Sequence, residues 1–148
     1  MTEPMRTKAI DILLVEDNAG DVRLTREALK DGKILNSLYV ARDGVEALTF
    51  LRHTGPYVET PQPDIILLDL NLPKMDGREV LAEIKKDPAL WRIPVIILTT
   101  SRADEDVIRA YELHANCFIT KPVDLDQFFK VVKSMEEFWF TIVRLPPS

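Results

Sequence analysis

The feature that most constrains this chain is an unbroken apolar run, residues 65–68 (IILL), that leads directly into Asp69. Pro63 and Asp64 precede the run, and the turn-forming segment 71–77 (NLPKMDG) follows it. A short apolar run ended by turn signals is typical of a strand that is buried on both faces of a sheet. Asp69 would then lie at the carboxyl end of a central strand, where open α/β sheets place their ligand sites.

The length, net charge and cysteine content of the chain limit the classes of protein to which it can belong. The 148 residues suit one domain, and we expect a single domain over residues 1–148 with a core at about 9–135 and a C-terminal extension at about 136–148. The net charge of −5 disfavours binding to nucleic acid phosphates. No apolar run approaches the roughly 20 residues needed to cross a bilayer. The single cysteine, Cys117, excludes an internal disulfide and favours a cytoplasmic location.

Strand and helix patterns alternate along the chain. Short apolar runs predict five strands, at residues 10–15, 38–41, 64–69, 94–99 and 117–120. Start signals and apolar spacing predict a helix after each strand, at about residues 18–31, 44–51, 77–86, 104–114 and from 122 onward. This alternation predicts an α/β fold with a doubly wound, five-stranded parallel sheet.

Polar residues end four of the predicted strands. They are Glu16 with Asp17, then Asp69, Thr99 with Thr100, and Thr120 with Lys121. In a parallel sheet these strand ends emerge at one edge. Carboxylates that are packed together raise each other's pKa, and a hard cation such as Mg²⁺ relieves their repulsion.

The other two strand ends suit a phosphoryl group. Lys121 supplies a point charge and the Thr99 hydroxyl a hydrogen bond. A carboxylate nucleophile, a metal, a hydroxyl and a lysine are together what aspartyl-phosphate chemistry needs. These residue types therefore predict metal-dependent aspartyl-phosphate chemistry at this edge of the sheet.

Four segments resemble the receiver domain of two-component response regulators: 14–17 (LVED), 67–77 (LLDLNLPKMDG), 98–101 (LTTS) and 120–122 (TKP). The resemblance covers almost the whole chain and implies a flavodoxin-like strand order of 2-1-3-4-5. It also implies that Asp69 accepts a phosphoryl group, in a Mg²⁺-dependent reaction, from a phosphohistidine of a sensor histidine kinase.

The resemblance also assigns metal ligands. Asp17 and Asp69 would bind Mg²⁺ directly, and Glu16 would act through water. The main-chain carbonyl of Asn71 would complete the protein ligands.

Further residues would form the phosphoryl-binding and switch group. Thr99, Thr100 and Lys121 would bind the phosphoryl group, and Phe118 falls where the family has an aromatic residue that turns inward on phosphorylation.

Two other segments resemble a narrower group. The proline-bearing loop 53–63 and the ending 138–147 (FWFTIVRLPP) are similar to the single-domain regulators that serve bacterial phytochromes. The resemblance implies a phytochrome as the kinase, with the signal passed on by protein contact or onward phosphotransfer.

The last predicted helix carries more apolar residues than one core-facing stripe needs. The residues left on another flank are Val131, Phe138, Ile142 and Val143. Surplus apolar area usually marks an interface. We predict a homodimer through this flank and the tail residues Leu145 and Pro146, the alternative being a tail that folds onto its own domain.

Two other functions compete with a phosphorylated signalling module. A metal-dependent phosphatase of the haloacid-dehalogenase type would place a second acid two residues after its nucleophile, where this chain has Asn71. A degenerate receiver that only binds partners would normally lack a site residue, and none is missing here. We therefore expect a signalling module rather than a turnover enzyme.

Overall fold

The structure, a computed structural model, describes residues 9–30, 36–99, 117–121, 123, 126–128 and 130. The strands of this part are β1 (Ile10–Val15), β2 (Asn36–Ala41), β3 (Ile65–Asp69), β4 (Val95–Thr99) and β5 (Cys117–Thr120). Its α-helices are α1 (Ala19–Lys30), α2 (Gly44–Leu51) and α3 (Gly77–Lys86), and a 3₁₀ turn at Gly55–Tyr57 lies in the loop before β3.

All five strands are parallel, in the order β2-β1-β3-β4-β5. The predicted α/β class and strand order are therefore confirmed. Strand β3 lies in the middle, where Leu67 pairs with Leu14 on one side and with Ile96 on the other. The carboxyl ends of β1, β3, β4 and β5 consequently meet at one edge of the sheet.

The apolar run of β3 is continuous because both faces of the sheet are covered. Ile66 and Leu68 pack into a core with α2 and α3. Ile65 and Leu67 point to the opposite face and pack with Leu29 of α1. Every residue of β3 is buried, as expected for a strand between two layers of helices.

Local sequence signals set where two helices begin. The side chain of Asp43 accepts a hydrogen bond from the Glu46 N–H and caps α2. Asp76 and Glu79 form a reciprocal capping box at the start of α3. Both caps follow directly on loops at the carboxyl edge of the sheet, so they also fix those loops.

Several predictions concern residues outside the described part of the chain. They include the helix at 104–114, the phosphoryl-binding residue Thr100, and the dimer residues Val131, Phe138, Ile142, Val143, Leu145 and Pro146. Within the described part, no helix has both the length and the apolar character needed to span a membrane.

Candidate functional site

Three carboxylates meet at the carboxyl edge of the sheet. Glu16 and Asp17 follow β1 directly, and Asp69 is the last residue of β3. One oxygen of each carboxylate lies within 4.8 Å of the others. Glu16 is 1% exposed and Asp69 5% exposed, whereas Asp17 is exposed to solvent. The cluster thus has two buried acids and one solvent-exposed acid.

The loop from β3 to α3 brings the backbone of Asn71 against Asp69. The N–H of Asn71 donates to Asp69 Oδ1 at 3.1 Å, and the N–H of Gly77 closes the loop on the Leu70 carbonyl at 2.9 Å. A Cβ on Gly77 would lie 2.4 Å from the carbonyl oxygen of Asp69. The tight return of the chain past the acid therefore requires glycine at this position.

Lys121 follows β5 and places its ammonium among the acids. Its Nζ lies 2.9 Å from Asp69 Oδ2 and 3.0 Å from Asp21 Oδ2, and it donates a hydrogen bond to each. Glu16 Oε1 lies 2.8 Å from the same nitrogen. That contact is an ion pair between the ammonium and the buried carboxylate, and it is the shortest of the three.

Burial and the opposed charges shift two pKa values. Burial raises the pKa of Glu16 to about 7, and the charge of Asp69 adds to the effect, although Lys121 acts in the other direction. Burial by itself would lower the pKa of Lys121. The contacts with Glu16, Asp69 and Asp21 outweigh it and hold that pKa above its usual value. The Lys121 side chain is therefore charged at neutral pH, whereas the Glu16 carboxyl group changes its protonation state near pH 7.

The residues present fit a hard divalent cation. Glu16, Asp17 and Asp69 supply carboxylate oxygens, and the backbone of Asn71 lies against Asp69 through its N–H. Mg²⁺ prefers a few carboxylates completed by carbonyl and water oxygens. Lys121 brings one positive charge to Glu16, Asp69 and Asp21, so this group of acids keeps an excess of negative charge that a cation would neutralise.

The other predicted residues lie at or below the same edge. Thr99 is the last residue of β4 and pairs in register with Thr120 of β5, next to Lys121. Phe118 is half-buried and packs against the core on the α2 and α3 side of the sheet. The backbone thus brings Thr99 to the strand edge that also carries Asp69 and Lys121.

Sequence reasoning missed one member of this cluster. It used Asp21 only as a start signal for α1, whereas the structure places its carboxylate on Lys121. The two residues are 100 positions apart, and neither spacing nor periodicity connects them. The available signal is that Asp21 lies four residues after Asp17, about one helical turn beyond the acidic strand end.

Comparison with known proteins identifies the family. Residues 12–133 match the response regulator receiver domain. The protein belongs to the receiver domain family. This receiver domain is 55% identical over 137 residues to the response regulator Rcp1 of Synechocystis sp., covering 93% of either chain. The Mn²⁺-bound form of Rcp1 is a solved structure that matches with a TM-score of 0.72 at 54% identity, over 93% of this chain and 99% of that one.

Two further solved structures are similar to this receiver domain. The bacteriophytochrome response regulator AtBRR matches with a TM-score of 0.83 at 47% identity, over 89% of this chain and 96% of that one. The phosphorylated cyanobacterial phytochrome response regulator RcpA matches with a TM-score of 0.74 at 51% identity, over 95% of this chain and 100% of that one. The receiver domain is thus homologous to phytochrome response regulators, as the sequence predicted.

Proposed function

We propose that this receiver domain accepts a phosphoryl group on Asp69 from a phosphohistidine of a sensor histidine kinase, in a reaction that requires Mg²⁺. The observation that carries the proposal is the position of Asp69. One of its oxygens accepts a hydrogen bond from Lys121, and its neighbours Glu16 and Asp17 bring further carboxylate oxygens within 4.8 Å that could hold a cation. The similarity to a phosphorylated regulator and to a Mn²⁺-bound regulator supports the same chemistry.

The transfer follows from the groups present. An oxygen of the Asp69 carboxylate attacks phosphorus, the P–N bond to the histidine breaks, and its electron pair returns to the imidazole nitrogen, which then binds a proton. A cation held by Glu16, Asp17 and Asp69 would neutralise charge on the phosphoryl oxygens. Lys121 would form an ion pair with a phosphoryl oxygen, and the Thr99 hydroxyl would donate a hydrogen bond to another.

The test is the intact mass of the protein after incubation with Mg²⁺ and either acetyl phosphate or a phosphorylated phytochrome kinase. We expect a single phosphoryl addition that requires Mg²⁺ and is absent in Asp69→Asn. Asp64→Asn is the matched control, because Asp64 precedes the same strand at its other end, and it should be phosphorylated as the wild type is. An addition that persists in Asp69→Asn, or no addition from a kinase that phosphorylates a similar regulator, would contradict the proposal.

The kinase partner and the output complete the proposed role. The homology to phytochrome response regulators supports a phytochrome as the sensor kinase. We place the protein in the cytoplasm, where it acts as a signalling module without substrate turnover. It passes the signal on by protein contact or onward phosphotransfer.

A homodimer is part of this proposal. It would form through the predicted apolar flank and tail, whose residues are Val131, Phe138, Ile142, Val143, Leu145 and Pro146. Only the apolar surplus of the sequence supports it.

A further inference from the structure

Lys121 has an acidic partner that the predicted site does not contain. Asp21 lies in the first turn of α1, and its Oδ2 accepts a hydrogen bond from Lys121 Nζ at 3.0 Å. The Asp21 side chain is 35% exposed, compared with 7% for Asp69 and 1% for Glu16. Asp21 is therefore the most solvent-exposed of the three carboxylates that hold the ammonium.

The position of Asp21 is fixed by the start of α1. Its N–H donates to Asn18 Oδ1 at 2.9 Å, and the N–H of Val22 donates to the Asn18 carbonyl at 3.0 Å. Asn18 in turn donates its own N–H to Glu16 Oε2 at 3.2 Å. Because Asn18 serves as the cap, the carboxylate of Asp21 is left to bind Lys121.

A divalent cation and Lys121 would compete for the same charges. An ammonium group has three N–H donors and no acceptor, and the Lys121 ammonium contacts three carboxylates. Two of them, Glu16 and Asp69, belong to the group of acids suited to a cation, whereas Asp21 does not. A cation would therefore take over the first two partners and leave Asp21 as the remaining partner of the lysine.

We propose that Asp21 is a positioning residue, which draws the Lys121 ammonium toward α1 and so weakens its competition with a divalent cation for Glu16 and Asp69. The inference rests on the proposed function in that it uses the same cation site. Its consequence is a measurable property of the unphosphorylated protein. Asp21 strengthens cation binding without contacting the cation.

The first experiment measures Mn²⁺ affinity, from the electron paramagnetic resonance signal of the free ion, with Mg²⁺ as a competitor. In Asp21→Asn we expect the affinity to fall about tenfold, within the range for residues of one salt-bridge network. Asp21→Glu should restore it to within about twofold of the wild type. Glu27→Gln removes the same charge from an exposed position on α1 and should leave the affinity unchanged.

The second experiment repeats Asp21→Asn in a Lys121→Met background, or in Lys121→Gln if the first double variant does not fold. With the ammonium gone, we expect the effect of Asp21→Asn to shrink below about twofold. A loss that stays near tenfold would show that Asp21 acts on the cation by its charge alone, and would overturn the proposal. An unchanged affinity in Asp21→Asn itself would also overturn it.

These outcomes are separable from those of the phosphorylation test. Coupling between Asp21 and Lys121 in Mn²⁺ affinity, without phosphoryl addition to Asp69, would refute the proposed function and leave the role of Asp21 intact. Phosphoryl addition without that coupling would do the reverse. Circular dichroism and thermal unfolding of each variant test whether the compared proteins are folded.

Discussion

At Glu16, burial opposes the negative charge of the side chain. It is 1% exposed, it lies beside another buried acid, and the Lys121 ammonium that it contacts also contacts two other carboxylates. Burial raises its pKa to about 7, against an ordinary value of 4.5. The folded, metal-free protein consequently holds a proton on Glu16 over a pH range in which the unfolded chain has already released it.

That difference predicts a pH dependence of stability. Between pH 4.5 and about 7 the folded state binds more protons at Glu16, so the contribution of this group to the free energy of unfolding falls as the pH rises. The total change is about 3 kcal/mol at most, from 1.36 kcal/mol per pKa unit. Urea unfolding of the metal-free protein at pH 5.5 and pH 8 checks it. The decrease should be smaller in Glu16→Gln, and an equal decrease in both proteins would contradict the assignment.

Removal of the Lys121 ammonium should also change the stability of the protein. Lys121→Met removes the ammonium that contacts Glu16 and Asp69, and we expect the metal-free free energy of unfolding to fall by about 2 kcal/mol. Mg²⁺ should stabilise this variant more than the wild type, because no lysine competes for the acids.

Thermal unfolding with and without Mg²⁺ measures both parts of this prediction. Lys86→Met is the matched control, since Lys86 is 72% exposed and its ion pair with Glu83 lies at the surface. An equal gain from Mg²⁺ in Lys121→Met and the wild type would contradict it.

At the scale of elements, the loop between β3 and α3 is fixed from two sides. Gly77 lies against the backbone of Asp69 and Leu70, and a Cβ on Gly44 at the start of α2 would lie 2.5 Å from the Met75 carbonyl oxygen. Lys74, which has a positive φ of 65°, reaches Asp43 with its Nζ at 3.5 Å from Oδ2. Helices α2 and α3 thus position the loop that carries Asn71.

Gly77→Ala tests this support. The added Cβ would lie 2.4 Å from the Asp69 carbonyl, and we expect the free energy of unfolding to fall by about 2 to 3 kcal/mol. Mg²⁺ affinity should fall as well, because the Asn71 carbonyl shifts with the loop.

Gly20→Ala is the comparison. There the nearest neighbour is a side-chain oxygen, Asn18 Oδ1, at 3.1 Å, and the stability should stay within about 1 kcal/mol of the wild type. Urea unfolding and calorimetric Mg²⁺ titration measure the two effects. A Gly77→Ala protein with wild-type metal affinity would show that the loop does not position a ligand.

The strand that is buried on both faces was easier to predict from the sequence than the half-buried edge strand. The run of β3 was recognised because both its faces are covered, whereas β2 begins at Asn36, two residues before the prediction. This strand lies at the edge of the sheet and is mostly half-buried, so polar Asn36 and Ser37 are tolerated and no apolar run marks its start. The 3₁₀ turn within the predicted loop likewise carries no periodic signal.

The clustering of the residues that end the strands could be predicted from the sequence. Parallel pairing brings Glu16, Asp17, Asp69 and Lys121 together once the topology is known. The contact of Asp21 depends instead on how α1 docks on the sheet. Side-chain packing between helix and sheet sets that docking, and a single sequence does not encode it in a readable pattern.

At the scale of the whole molecule, the predicted dimer is open to direct measurement. The full chain should have twice its 16.9 kDa mass in light scattering at micromolar concentration. Phe138→Glu, which places a charge in the apolar flank, should shift it toward the monomer with an unchanged circular dichroism spectrum. Trp91→Glu replaces an aromatic residue that is 50% exposed elsewhere and should remain dimeric. A monomeric wild type, both phosphorylated and unphosphorylated, would refute the dimer.

The ion pairs of Lys121 also bear on how the chain is synthesised. Its partners Asp69 and Asp21 lie 52 and 100 residues earlier in the sequence. These two acids therefore leave the ribosome well before Lys121 does. Domains generally fold from the N-terminus during synthesis, and contacts this far apart in sequence close slowly. Until β5 has emerged, mutual repulsion of the acids opposes the joining of β1 to β3. Mg²⁺ at the proposed site would relieve this repulsion in the nascent chain before Lys121 is available.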